Sequence, residues 1–327
     1  MSAAAVDRDD LDALTEAGHL NADQRVVALN IAGLTPSAVQ WHHFLSRVFL
    51  LFGLTLLIAA VSYFVAYNWD AMGRFAKIAL LEIAVVVAAL AAARFAAEGL
   101  ASRAALMAAV LLTGPLLAFI GQTYQTGADT YELFRAWALL ALPWVWLARW
   151  RVLWCAWLLI ANVSVGLYFS ELRSPLLGAA FNHHGVLALA VFNGAFLVCM
   201  EWWGQVRMVG AGRSVERLAL ALLLCAAVFL YFHFLLESSK REIWALLIPG
   251  AVLIAVWCWY RLKRVDLLAL ALWAFAAIAV AATTVAKLMA EGSAGSLAWL
   301  LTGMTVIGLS AGAATWLKQL HRDAEAA

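Results

Sequence analysis

A chain of 327 residues that is 65% hydrophobic and 13% charged, with 16 tryptophans, carries more apolar surface than one water-soluble globule can enclose. Its formal net charge of +2 is spread between apolar runs, which excludes a nucleic-acid partner. What remains is an all-α, polytopic transmembrane helical bundle whose first partner is the lipid bilayer. Cys155, Cys199, Cys225 and Cys258 all fall inside apolar runs without CxxC spacing, so neither a disulfide framework nor a zinc site is expected.

In chain order, the first element is a small helical segment over residues 1–47. Asp7, Asp9, Asp10, Asp12, Glu16 and Asp23 make its start acidic, unlike the basic start of a secretory signal, so no cleavage is expected. Asp9 to Ala17 suits a short helix closed by Gly18. Asn21 followed three residues later by Gln24 predicts a capping box opening a second helix that Gly33 ends. Thr35 and Pro36 mark a third start, and that helix is expected to run on into the first membrane span. His42 and His43 are neighbours about 100° apart on a helix, so they cannot clamp one metal as an i, i+4 pair would. They read as interfacial.

From Val48 onward, apolar runs of crossing length follow one another: 48–67, 75–97, 104–121, 130–148, 152–170, 185–203, 216–236, 243–260, 265–289 and 296–317, about ten spans at roughly 20 residues each. Backbone groups in lipid must satisfy one another within the segment, so these are helices. With the N-terminus cytoplasmic, fifteen of the 22 lysines and arginines fall on inner segments, which predicts that both termini are cytoplasmic. The chain then divides into a cytoplasmic segment 1–47, four spans over 48–150, and six spans with a short tail over 151–327. The fourth span is the least apolar, because Glu132 and Arg135 lie within it.

One stretch interrupts this pattern: Gly121 to Trp137, reading GQTYQTGADTYELFRAW. Pro115 inside the preceding span removes a backbone donor and predicts a kink. Gln122, Thr123, Tyr124, Gln125 and Thr126 supply two amides, two hydroxyls and a phenol, and Gly127 permits a left-handed turn. Asp129 is placed to cap the next helix with Glu132 answering as in a capping box, and Glu132 can pair with Arg135 at i, i+3. The first span ends in Asn68 and Trp69 on the same, outer side. Glu82 lies about 10 Å into the second span at 1.5 Å per residue, within reach of Arg74, Lys77 or the Gln122 amides, and an acid at that depth is expensive unless it is neutral or answered. The candidate ligand-binding residues are therefore Glu82, Asn68, Trp69, Gln122, Tyr124, Gln125, Asp129, Glu132 and Arg135. Asn162, Ser164, Asn193, Thr283 and Thr284 are expected to make helix-to-helix hydrogen bonds.

This seventeen-residue motif, the YNW at the end of the first span and the acidic helical start resemble a bacterial family of membrane proteins, domain of unknown function 2157, over roughly residues 9–150. The resemblance implies a multi-pass bacterial inner-membrane protein with a cytoplasmic N-terminal helical segment, and it brings no established activity.

No nucleophile elbow, HExxH or phosphate-binding loop is present in the sequence, so no catalytic residue, metal ligand or cofactor is assigned. Glu171, Arg173, Asn182, His183 and His184 share one outer loop, and a hydrolytic or metal site there is the least favoured reading. Transport or binding of a small polar solute through an outward-facing pocket comes first. The alternative is a membrane sensor or a scaffold for assembly, using the outer motif and the N-terminal helices for protein contacts.

Overall fold

The computed structural model describes residues 8–67, 73–95, 99–125, 127–169, 183–207, 212–236, 244–291 and 295–326. They form twelve α-helices, and the polytopic helical bundle expected from composition is what the chain builds. The chain divides into two compact units, Met1–Ala71 with Arg322–Ala327, and Met72–His321.

The first unit contains α1 (Arg8–Glu16), α2 (Ala22–Ile31) and α3 (Ala38–Tyr67). The Asn21 capping box forms as expected: Gln24 N–H donates to the Asn21 side chain at 2.8 Å, and Asn21 N–H donates to the Gln24 side chain at 3.0 Å. Arg25 Nε donates to Asp12 at 2.7 Å, and Leu11 and Leu29 are buried. The start of α3 lies slightly beyond the Thr35–Pro36 signal. Ser37 and Gln40 exchange the reciprocal bonds there, because a Ser with Gln three residues on satisfies two orphan amides that Thr35 cannot reach. From Ala38 the helix continues without a break to Tyr67, so one element joins the polar segment to the first apolar run.

The second unit contains α4 (Arg74–Arg94), α5 (Leu100–Tyr124), α6 (Thr130–Ala148), α7 (Arg151–Phe169), α8 (His183–Arg207), α9 (Ser214–Leu236), α10 (Trp244–Cys258), α11 (Leu267–Glu291) and α12 (Gly295–Ala326) as far as His321. A π-helical turn, Trp259–Lys263, extends α10. Helix α9 is apolar around its whole circumference, as a central helix must be, and packs against α7, α8, α10 and α11. Its Leu220, Leu223, Leu224 and Leu230 meet Leu158, Val186, Leu197 and Leu270 from the surrounding helices.

Nine helices among the described residues are long and apolar enough to cross a membrane, one fewer than the ten expected. Helix α6 is the difference. It has 19 residues, but Glu132 and Arg135 in its first two turns leave it without a sufficiently apolar stretch of crossing length. It nevertheless lies antiparallel along α7. The Tyr131 ring meets Tyr168 at one end, Trp157 Nε1 donates to Ala138 O at 2.8 Å in the middle, and the Trp146 ring meets Trp154 at the other end.

The expected interhelical hydrogen bonds are largely present. Asn162 and Asn193 exchange amide bonds at 3.1 and 2.6 Å between α7 and α8. Thr284 meets the Tyr231 hydroxyl at 2.6 Å between α11 and α9, and Ser164 donates to Tyr131 O at 3.4 Å. Thr283 is the exception: it donates to Ala279 O on its own helix.

Candidate functional site

The 121–137 stretch turns the chain from α5 into α6. Helix α5 passes through Pro115 as one helix and ends at Gln125, whose φ of 45° is left-handed and whose N–H donates to Gly121 O. Glycine is the usual residue in that conformation, because a side chain there crowds the backbone. Gly127 follows with φ 67°.

Below the turn, the helices are tightly stapled. Trp137 Nε1 donates to Val110 O at 2.7 Å, and its ring lies against Gly114, where an added Cβ would come within 2.6 Å of it. Thr113 donates to Ala109 O at 2.8 Å. Above the staple, Gln122, Tyr124, Gln125, Gly127, Asp129 and Thr130 are all exposed. Asp129 occupies the N-cap position in an extended conformation, yet its side chain makes no capping bond, so the expected capping box with Glu132 does not form. A backbone bond from Glu132 N–H to Asp129 O, 3.0 Å, closes the first turn instead. The Glu132 carboxylate turns to Arg135 at 3.4 Å, as the i, i+3 spacing predicts, and the Arg135 guanidinium lies over the Tyr131 ring.

The remaining candidates are not gathered round this turn. Glu82 is exposed on α4, on a face it shares with exposed Ile83, Val86 and Val87, whereas Lys77 and Leu81 point into the packed side. Asn68 and Trp69 lie outside the described residues, as do Glu171, Arg173 and Asn182 of the outer loop.

Residues 12–154 match the model of DUF2157, a family described as predicted membrane protein. The match spans almost the stretch expected from the motifs, including the whole 121–137 turn. No curated protein matches the chain, and no solved structure does.

A second polar cluster lies beyond the matched residues except for Arg151, and counting cations for orientation passes over it. Arg151 at the start of α7 clasps Glu216, in the first turn of α9, with bonds of 3.0 and 2.7 Å. Glu201 on α8 accepts from Arg213, from Arg264 at 3.0 Å and from the Tyr260 hydroxyl at 2.6 Å. Arg213 bridges on to Asp266 at 3.2 Å and lies over the Tyr260 ring. Asp266 also takes a two-pronged bond from Arg217 at 3.2 and 3.1 Å and caps α11 by accepting from Leu268 and Ala269 N–H.

The π-helical turn sets this register, since Arg264 N–H reaches five residues back to Trp259 O, and Tyr260 and Arg264 then both meet Glu201. Glu201, Glu216 and Asp266 are all buried, so each charge is tolerable only because it is paired and hydrogen-bonded. Burial pushes the Asp266 carboxyl upward, but Arg217, the Ala269 amide and the Arg213 charge outweigh it and hold the group below the usual carboxylate range. The available sequence signal was an acid at the end of three apolar runs, since an ionisable residue at membrane depth is a site candidate by default. Positive-inside counting discards acids.

The two clusters occupy opposite ends of α7. Arg151 opens that helix, while Ser164 and Tyr168 meet Tyr131 about 20 to 25 Å further along at 1.5 Å per residue.

Proposed function

We propose that this membrane protein is an assembly or sensing element that offers the 121–132 turn, and the Glu82 face of α4, to a partner protein in or beside the membrane. The observation that carries this reading is the exposure of Gln122, Tyr124, Gln125 and Asp129 on a turn whose base is clamped by Trp137. A rigid base under an open row of amides and a carboxylate suits capture of another chain's backbone or polar side chains. An enclosed solute pocket would instead surround these groups. Two further features support it. Gln125 holds a left-handed backbone where glycine would relieve strain, which is the kind of local cost that accompanies function. Glu82 presents a carboxylate among exposed aliphatic side chains, an arrangement that lipid alone answers poorly.

The arginine-rich cluster at the far end of α7 fits a cytoplasmic placement for that end, by the positive-inside rule. In this reading α6 is the tenth crossing, the turn faces the periplasm, and both termini are cytoplasmic in a bacterial inner membrane, where residues 1–47 would make the second protein contact.

Photocrosslinking in intact cells tests the proposal, with a photoreactive residue at Gln122, Gln125 or Glu82 and at the exposed control position Leu139. A discrete crosslinked species is expected from the first three positions and not from Leu139, and it should weaken when Gln122→Ala and Asp129→Ala are combined in the same chain. If the turn yields no protein adduct while the same substitutions change uptake of a labelled polar solute, the solute-handling reading replaces this one.

A further inference from the structure

Helix α4 is an edge of its unit: among the described residues it packs closely against α5 alone. Lys77, Leu81 and Ala92 mark the packed side. The opposite side is exposed and is built of two neighbouring rows at four-residue spacing, Ala79, Ile83 and Val87 beside Glu82, Val86 and Leu90. Such rows are the ridges with which one helix packs into another. Their apolar members are at home in lipid. Glu82 is not: it lies about 12 Å from the Arg74 end of the helix at 1.5 Å per residue, and it makes no hydrogen bond or ion pair among the described residues. The cations of the preceding turns do not answer it, since Lys77 is turned into the packed side and the Arg74 guanidinium lies over the Phe75 ring at 4.9 Å.

Ionisable side chains in membrane helices face a protein interior or water, so an acid on the outside of one chain points to the inside of an assembly. The chemistry of the acid says which assembly. A carboxyl group with its proton carries one donor and a free acceptor, so two of them answer each other completely. Two copies inserted in the membrane the same way are related by a two-fold axis along the membrane normal, and that operation leaves every residue at its own depth. A second α4 therefore brings Glu82 to Glu82 with no adjustment of register, whereas another protein's helix would need a donor placed at that depth. Ala79, one turn from Glu82 toward Arg74, has no side chain beyond Cβ and lets two backbones approach. We propose that the exposed face of α4 is the interface of a homodimer, in which the two rows of one copy interdigitate with those of the other and the two Glu82 carboxyls are hydrogen-bonded to each other. The proposal rests on reading the Glu82 face as a protein contact, and it names the occupant.

The test uses the full chain carrying a donor or an acceptor fluorophore at its C-terminus, in vesicles of phosphatidylethanolamine and phosphatidylglycerol at a series of lipid-to-protein ratios. Energy transfer above the level of random proximity is expected, falling as lipid dilutes the protein. Glu82→Leu should weaken the dimer about tenfold through the loss of both hydrogen bonds. Val86→Trp should also weaken it, by crowding the face without touching the acid, while Ile254→Trp, at a comparably exposed position on α10, should leave it unchanged. Glu82→Gln should retain the dimer, because a carboxamide also carries a donor and an acceptor. Transfer no higher than random proximity in the unaltered chain overturns the proposal. So does a dimer that survives Glu82→Leu, or one that Glu82→Gln weakens as much as Glu82→Leu does. An adduct from a photoreactive residue at Glu82 to a different protein, with no transfer between copies, removes the second copy as occupant and leaves the face as a protein contact. Absence of both removes the face itself, and adducts at Gln122 and Gln125 report on the turn independently.

Discussion

The 121–135 turn and the Glu201–Asp266 cluster sit at opposite ends of the same bundle, and both are rich in acids, arginines and hydrogen-bonding side chains. They differ in where those groups find partners. In the cluster each carboxylate is buried and accepts from at least one arginine, and Glu201 and Asp266 accept from two each. In the turn the amides and Asp129 are exposed, and of its two acids Glu132 alone has an ion-pair partner, Arg135. The difference teaches that polar density along a membrane chain marks either a lock or a surface. Satisfaction by partners from other helices tells them apart, because a buried unpaired charge is far more expensive than a hydrated one.

The strongest way to break this comparison is to remove one member of the lock. Glu201→Leu leaves Arg213 and Arg264 facing each other without their shared carboxylate, and should cost about 3 to 5 kcal/mol. Thermal unfolding in detergent or steric trapping would register it. Replacing both ends of the neighbouring pair, Arg151→Met with Glu216→Leu, should cost less than Glu216→Leu alone, since no orphan charge remains. A double change as damaging as the single one would show that the pair contributes more than mutual neutralisation.

Acidification probes the same cluster at an intermediate level. Asp266 has a folded pKa below its unfolded value, so its contribution is fully present above the ordinary carboxylate pKa of about 3.9 and is lost as pH falls through the folded value. Unfolding followed between pH 6 and pH 3 should show a loss of stability at the acid end, and Asp266→Asn should flatten that end of the profile. A profile unchanged by the substitution would remove Asp266 from the account.

The smallest effects belong to the turn. Asp129→Asn removes no capping bond and should stay within about 0.5 kcal/mol, as surface changes do. Gln125→Gly releases a left-handed backbone and should range from neutral to about 1 kcal/mol more stable, set against the entropy glycine adds to the unfolded chain. In the crosslinking assay the same Gln125→Gly change should weaken partner capture, so stability and contact would move in opposite directions. If both moved together, the turn would be structural and the contrast with the cluster would dissolve.

Much of this organisation was legible before any fold was known. The long apolar runs specify membrane helices because lipid offers the backbone no other donor or acceptor. The Asn21–Gln24 box, the passage of one helix from the polar segment into the first apolar run, the Glu132–Arg135 pair and the use of Asn162 and Asn193 in bonds between helices all rest on local spacing or on the cost of a bare amide in lipid. The extent of the DUF2157 match was readable for a similar reason, since a dense motif is specific without reference to folding. Capping at Asp129 was not, because whether a side chain bends back to the helix or stays in water depends on the turn's geometry, and the two outcomes differ by about a kcal/mol.

What the sequence alone determined, then, is the class of molecule and the position of its most unusual turn, both of which follow from short-range rules of hydropathy and hydrogen bonding. Packing between helices, by contrast, put Glu82 on an exposed face and locked Glu201, Glu216 and Asp266 to arginines 12 to 65 residues away. Those outcomes depend on how each helix is rotated about its own axis when it packs, and rotation is settled by the sum of many weak contacts with other helices rather than by the residues next along the chain.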